Sequence, residues 1–185
     1  MSASAQTSIE GHGRDVALCA LAYGVAAVVA LAVGYAVSDA HPIVVVAAAD
    51  LAATLVVFAF STAFRNSSFY DAYWSVAPVA IAIYWAAAPT DMGVDIGRQL
   101  LVVLLVIWWA VRLTYNWLRR WEGLGHEDWR YADFRQQYGS LYWLIDLSGI
   151  HLFPTIMVFL GCLSLYPALS SGTRPFGALD ILAAA

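Results

Sequence analysis

The sequence predicts an all-α fold, a multi-pass transmembrane helix bundle with about five complete spans, a truncated sixth and one cytoplasmic interfacial helix. Two observations carry this. The 185 residues are 62% hydrophobic and only 12% charged, well outside the composition of soluble globular domains. The apolar residues also fall in runs of about twenty, the length an α-helix needs at ~1.5 Å per residue to cross a hydrocarbon core of ~30 Å. The organisation that follows is a polar N-terminal tail over 1–15 and a membrane domain over 16–185.

The first apolar run, Val16 to Val37, is too long for a signal-peptide core and reads as a retained span. Its Gly and Ala residues (Gly24, Ala26, Ala27, Ala30, Gly34) suit close helix packing. A short turn follows, with Pro42 placed to start the second span, Ile43 to Phe64, which carries one acid, Asp50. An intramembrane carboxyl is either a functional group or a hydrogen-bonded packing residue, and both readings stay open. The polar and aromatic segment from Arg65 to Ser75 leads into the third span, Val76 to Ala88. Tyr70, Asp71 and Tyr73 there form a compact set of proton donors, denser than an interfacial aromatic belt requires.

An acidic turn, Pro89 to Gly97, precedes the fourth span, Gln99 to Leu118. On this helix Trp108, Arg112, Tyr115, Asn116 and Arg119 recur at spacings of three and four and therefore share one face. Gly123 and Gly125 break it, and His126 to Tyr138 reads as a short interfacial helix. Leu141 to Leu169 is longer than one span needs, with Pro154 as a candidate kink. The segment Gly177 to Ala185 reads as the opening of a sixth span, about nine residues long, as in a fragment of a longer protein.

All nine basic residues are arginine. Counted across the spans, Arg14, Arg65, Arg119, Arg120, Arg130 and Arg135 fall on one side and Arg98 and Arg174 on the other, so the first set is expected in the cytoplasm. Arg112, Asn116, Arg119 and Arg120, interleaved with Tyr and Trp, suit an anionic ligand with a flat ring, because guanidinium groups fork onto phosphates while aromatic rings stack. A lipid headgroup, a nucleotide cofactor or S-adenosylmethionine would each meet that description in part. P-loop, GxGxxG and HExxH motifs are absent, no metal site is expected, and nothing suits a nucleic-acid partner. Cys19 and Cys162 lie in apolar runs and behave as small hydrophobes.

Three motifs, Phe69-Tyr-Asp-Ala-Tyr-Trp-Ser-Val-Ala-Pro78, Arg112-Leu-Thr-Tyr-Asn-Trp117 and His126-Glu-Asp-Trp-Arg-Tyr131, resemble a multi-pass family of unknown function grouped with the steroid 5α-reductases. The resemblance implies a helix bundle that binds NADPH from the cytosolic side and reduces a carbon–carbon double bond conjugated to a carbonyl in a steroid or other lipid-like enone. It places Asp71 near the acidic substrate-binding position and Arg112 at the fourth-helix arginine, with Trp109 where a carbonyl-polarising tyrosine is expected. Tyr70, Tyr73 and Tyr115 are the candidate substitutes for that tyrosine. Arg112, Asn116, Arg119, Arg120, Asp128, Arg130 and Tyr131 become the candidate cofactor contacts. Two alternatives stand beside this reading: an S-adenosylmethionine-dependent membrane methyltransferase of the isoprenylcysteine type, and a non-enzymatic protein that binds membrane lipids.

Overall fold

The computed structural model describes residues 3–88 and 93–184, and the first half of the acidic turn, 89–92, lies outside them. Among the described residues the chain is helical, without strands. Four helical segments among the described residues are long and apolar enough to cross a membrane: Gly11–Ala36, Pro42–Phe64, Ile96–Arg120 and Trp129–Ser171.

Helix α1 (Ala3–Ala36) begins well before the expected span, because most of the polar tail continues the same helix. It packs along α2 (Pro42–Phe64) through small side chains: Cys19, Ala22 and Ala26 are buried against Ala53 and Val57. Without large residues at the seam the two backbones approach closely, and dispersion contacts replace lipid. Pro42 opens α2 at a position where a missing N–H costs nothing, and Nδ1 of His41 accepts from the Ile43 N–H at 3.3 Å. Arg65 ends the helix in the left-handed conformation, with φ 51°.

The chain then turns inward. A 3₁₀ turn, Ser67–Tyr70, is entirely buried, and α3 (Tyr73–Ala87) returns towards the start of α2, where Trp85 Nε1 donates to the Pro42 carbonyl. At fifteen residues α3 is about 22 Å long. Helix α4 (Ile96–Arg120) is N-capped by Asp95, whose Oδ1 accepts from the Gly97 and Arg98 N–H groups, and it packs on α3. A loop leads to α5 (Trp129–Tyr138), capped by Asp128.

The long final apolar run is one irregular rod: α6 (Tyr142–Ile145), a π-helical stretch (Asp146–Leu152), α7 (Phe153–Cys162) and a second π stretch (Pro167–Ser171). The disturbance expected at Pro154 is expressed as the π winding just before it. Proline offers no N–H to the preceding turn and its ring crowds the carbonyl there, so a wider turn relieves the clash. The short α8 (Ala178–Ala184) is tied to the start of α4 by Asp180, which accepts from Arg98 Nε at 2.8 Å and from Arg174 at 3.0 Å.

One end of the bundle gathers Asp15, Asn66, the 121–128 loop and α5; the other gathers Pro42, Trp85, Arg98 and Asp180. At the first end Gly123 has φ +94°, and a Cβ there would stand 2.6 Å from Oδ2 of Asp15, which accepts from the Leu124 N–H. Glycine is required at this position both by the backbone angle and by the close approach of α1.

Candidate functional site

Two of the sequence motifs dock onto each other at that first end. Asn66 Nδ2 donates to the carbonyls of Leu124 and His126 at 3.0 and 3.1 Å. The Ser67 N–H donates to Glu127 Oε1 at 2.8 Å, and the Asp128 N–H donates to Ser68 Oγ at 3.1 Å. These bonds satisfy the Ser67 N–H of the buried 3₁₀ turn and, on the facing loop, the Leu124 and His126 carbonyls and the Asp128 N–H, which would otherwise need other partners. Glu127 is held in turn by Arg135 at 2.8 Å, and Arg135 lies over the Tyr142 ring.

The docking brings α5 over a cavity of about 520 Å³ lined by Tyr70, Asp71, Trp74, Arg130, Tyr131 and Phe134 on one side and by Gly149, Ile150, Phe153, Pro154, Met157 and Val158 on the other. The second wall is the π stretch and α7, and it is apolar. Exposed Phe153 and Met157 stand at the rim, so the cavity opens on the apolar flank of the bundle. On the polar wall the Tyr131 phenol donates to Asp71 Oδ1 at 2.7 Å. Burial pushes the Asp71 carboxyl up to about 6, against hydrogen bonds from Tyr131 and Ser68 that pull it down. Arg130 forks onto Asp128 at 2.8 and 2.9 Å and lies beside the Tyr131 ring. That pairing holds the Asp128 carboxyl below the usual range.

The remaining candidates are spread over three places. Tyr70 lines this cavity, but its hydroxyl is turned to Thr155 Oγ1 at 2.8 Å. Tyr73 points the other way, donating to Asp50 Oδ1 at 2.7 Å on the wall of a separate cavity. Arg112, Tyr115, Asn116, Arg119 and Arg120 form an exposed face of α4. There Arg112 lies against the Trp108 ring and Arg119 against the Tyr115 ring. The ion pairs among the described residues leave these three arginines out. A packed pair of rings, Trp109 and Trp74 at 6.1 Å, joins α4 to the cavity wall.

Sequence reasoning passed over a buried cluster behind Tyr70. His151 Nε2 is 3.0 Å from Ser61 Oγ, and its Nδ1 faces the Asp146 carbonyl at 3.0 Å and carboxyl Oδ1 at 3.1 Å. The Tyr70 and His151 rings are 4.8 Å apart. Aspartate and histidine five residues apart point in different directions on an α-helix, yet align where the winding is i to i+5, as it is here. Two polar residues at that spacing in an apolar run, just before a proline, were the available signal. Ser61, His151 and Asp146 have the order of a nucleophilic triad, but Ser61 and His151 are 0% exposed and neither cavity reaches them. The cluster is a buried brace between α2 and the π stretch. Among the described residues no group of His, Cys, Asp or Glu side chains has the arrangement to hold a metal ion.

A family model described as "Protein of unknown function (DUF1295)" matches residues 57–185, which contain the whole cavity wall. The chain belongs to the DUF1295 family. This DUF1295 chain is also 30% identical over 122 residues to the "Uncharacterized protein C594.04c" of Schizosaccharomyces pombe, an alignment covering 64% of the chain and 36% of that protein. The chain thus spans about a third of the length of that curated relative. No solved structure matches it.

Proposed function

We propose that this protein is a membrane-embedded reductase that saturates a carbon–carbon double bond conjugated to a carbonyl in a steroid-like or other lipid enone, with NADPH as the hydride source. The observation that carries the reading is the Asp71–Tyr131 pair on the one polar wall of an apolar cavity open to the bilayer flank. An enone needs the same layout: an apolar body against Ile150, Phe153 and Met157, and its carbonyl oxygen at the acid. The motifs that resemble the steroid 5α-reductase group supply the hydride chemistry, and this is an inference from resemblance.

Protonated Asp71 would hydrogen-bond the carbonyl oxygen and pass its proton to it as the β-carbon is reduced, so that an enol forms in place of an enolate; tautomerisation, with water giving a proton to the α-carbon and taking the enol proton, would complete the saturated ketone. Tyr131 fixes the orientation of the carboxyl, so the donor is preorganised. Arg130, neutralised by Asp128, is a positioning residue for Tyr131. When bound, NADPH supplies the hydride. Outside the cavity, on the exposed face of α4, Arg112 and Arg119 lie against aromatic rings and have no carboxylate partner among the described residues, so that their N–H forks, with Asn116 and Arg120, would hold the phosphates of such a group.

In this reading α3 is a further crossing, which brings the complete spans to five. The N-terminus, the 121–128 loop and α5 then face the cytoplasm, where most arginines cluster and a nucleotide is available. The substrate reaches the cavity from the lipid side.

The test is nicotinamide fluorescence of the protein in detergent micelles titrated with NADPH, for the wild type and Arg112→Ala. Binding by the wild type that weakens about tenfold or more in the variant is the expected result, since a charge-assisted phosphate contact is lost. No binding by the wild type, together with unchanged behaviour of the variant, overturns the proposal. Binding of S-adenosylmethionine in place of NADPH would move the protein to the methyltransferase class.

A further inference from the structure

The apolar wall that faces Asp71 and Tyr131 is one helical rod, and its lining positions fall in two stripes: 149, 153 and 157, and 150, 154 and 158. Spacings of four keep each stripe on one line along the rod. Five of these six positions carry a side chain, and the sixth is Gly149.

Gly149 lies in the π-helical stretch, two residues before His151, whose ring is 4.8 Å from the Tyr70 ring. The bare position is therefore at the end of the wall next to the 3₁₀ turn and Asp71. Met157, on the same stripe, stands about 12 Å further along at ~1.5 Å per residue. A Cβ at Gly149 would meet no atom within 4 Å. Helix packing thus gives no reason for a glycine here, in contrast to Gly123, where Asp15 stands in the way. What the missing side chain leaves is room in the cavity beside the polar pair. Tyr70, Trp74 and Phe134 line the facing wall. A bare backbone opposite aromatic rings makes a slot for a flat group, because rings pack face or edge over a large area and a ligand approaches glycine closely.

We propose that Gly149 is the specificity-determining residue of the Asp71 cavity. It gives the cavity breadth at the end that takes the carbonyl, so that an enone contained in a ring fits there, and a side chain at 149 restricts the site to open-chain enones. This deepens the reading that the cavity receives an enone and rests on it, while the source of the hydride does not enter.

The probes are 3-decylcyclohex-2-enone and hexadec-3-en-2-one, which have the same number of carbons and the same conjugated carbonyl, ringed in one and open in the other. Each is titrated into the protein in detergent micelles without a nucleotide, and binding is read by native mass spectrometry. Gly149→Val is expected to weaken the cyclic ketone by about tenfold or more, the scale on which an extra methylene decides fit in an apolar pocket, and to change the open-chain ketone by less than about threefold. Gly149→Ala should shift the ratio of the two affinities in the same direction by less. A folding defect lowers both affinities together and leaves their ratio, so the ratio is the quantity that decides. Gly161→Val puts the same side chain on the same rod at an exposed position that lines neither cavity, and it should leave both affinities at the wild-type level. An unchanged ratio in Gly149→Val, or the same shift in Gly161→Val, overturns the proposal and leaves the enone reading standing on the wild-type binding. Wild-type protein that binds neither ketone removes the enone reading itself, and this inference with it.

Discussion

The Tyr131 phenol donates to Asp71 Oδ1 across 2.7 Å, joining the start of α5 to the turn before α3 over sixty residues of sequence. The bond favours the ionised carboxyl, while burial favours the neutral form and wins. Tyr131→Phe removes one of the two hydrogen bonds that oppose burial. The Asp71 pKa should therefore climb above about 6, and an infrared titration of the protonated carboxyl band measures it. A fall in the Asp71 pKa would contradict this balance.

The same balance sets a pH dependence. With a folded pKa of about 6 against ~3.9 for an unfolded aspartate, the folded state binds more protons between those values. The contribution of Asp71 to stability is thus most favourable below about pH 4 and declines as pH rises to about 6, by on the order of 3 kcal/mol. Asp71→Asn, which keeps an acceptor for Tyr131, should be more stable than wild type at pH 8 and lose that advantage at pH 4. Thermal denaturation in detergent at the two pH values checks the sign.

Gly123→Ala should destabilise the protein by roughly 1–3 kcal/mol, because alanine resists the positive φ and its methyl group meets Asp15. Asp15→Ala in the same background relieves the collision and leaves the backbone strain. A double-mutant cycle on thermal midpoints should accordingly be non-additive.

Ser61 should not react with a fluorophosphonate, despite its place beside His151 and Asp146, because it is fully buried and neither of the two cavities described above reaches it. Ser61→Ala should instead cost about 1–3 kcal/mol by leaving His151 Nε2 buried without its partner. Labelling followed by mass spectrometry, alongside a melting curve, separates a brace from a nucleophile.

At the opposite end, Arg98 holds Asp180 down to about 2 and fastens α8 to α4. The folded value lies below the unfolded one, so this fastening is complete above about pH 4 and fades as pH falls towards 2. Arg98→Gln should raise hydrogen exchange in residues 178–184 at neutral pH and leave the Tyr131–Asp71 end unchanged.

The sequence by itself determined that the chain is a helical membrane protein, and where its long helices lie, because a spanning helix pairs its own backbone groups and so announces itself in local composition. It also singled out residues 69–74 and 126–131 as chemically unusual. Periodicity records which face a side chain occupies on its own helix and carries no information about which other helix it will meet. Tertiary structure alone decided that Asp71 pairs with Tyr131, that Tyr73 turns away to Asp50, and that the arginine face of α4 lies outside the cavity. It also set the π winding that aligns Asp146 with His151, since a five-residue spacing becomes a shared face only after the neighbouring helices and Pro154 have widened that turn.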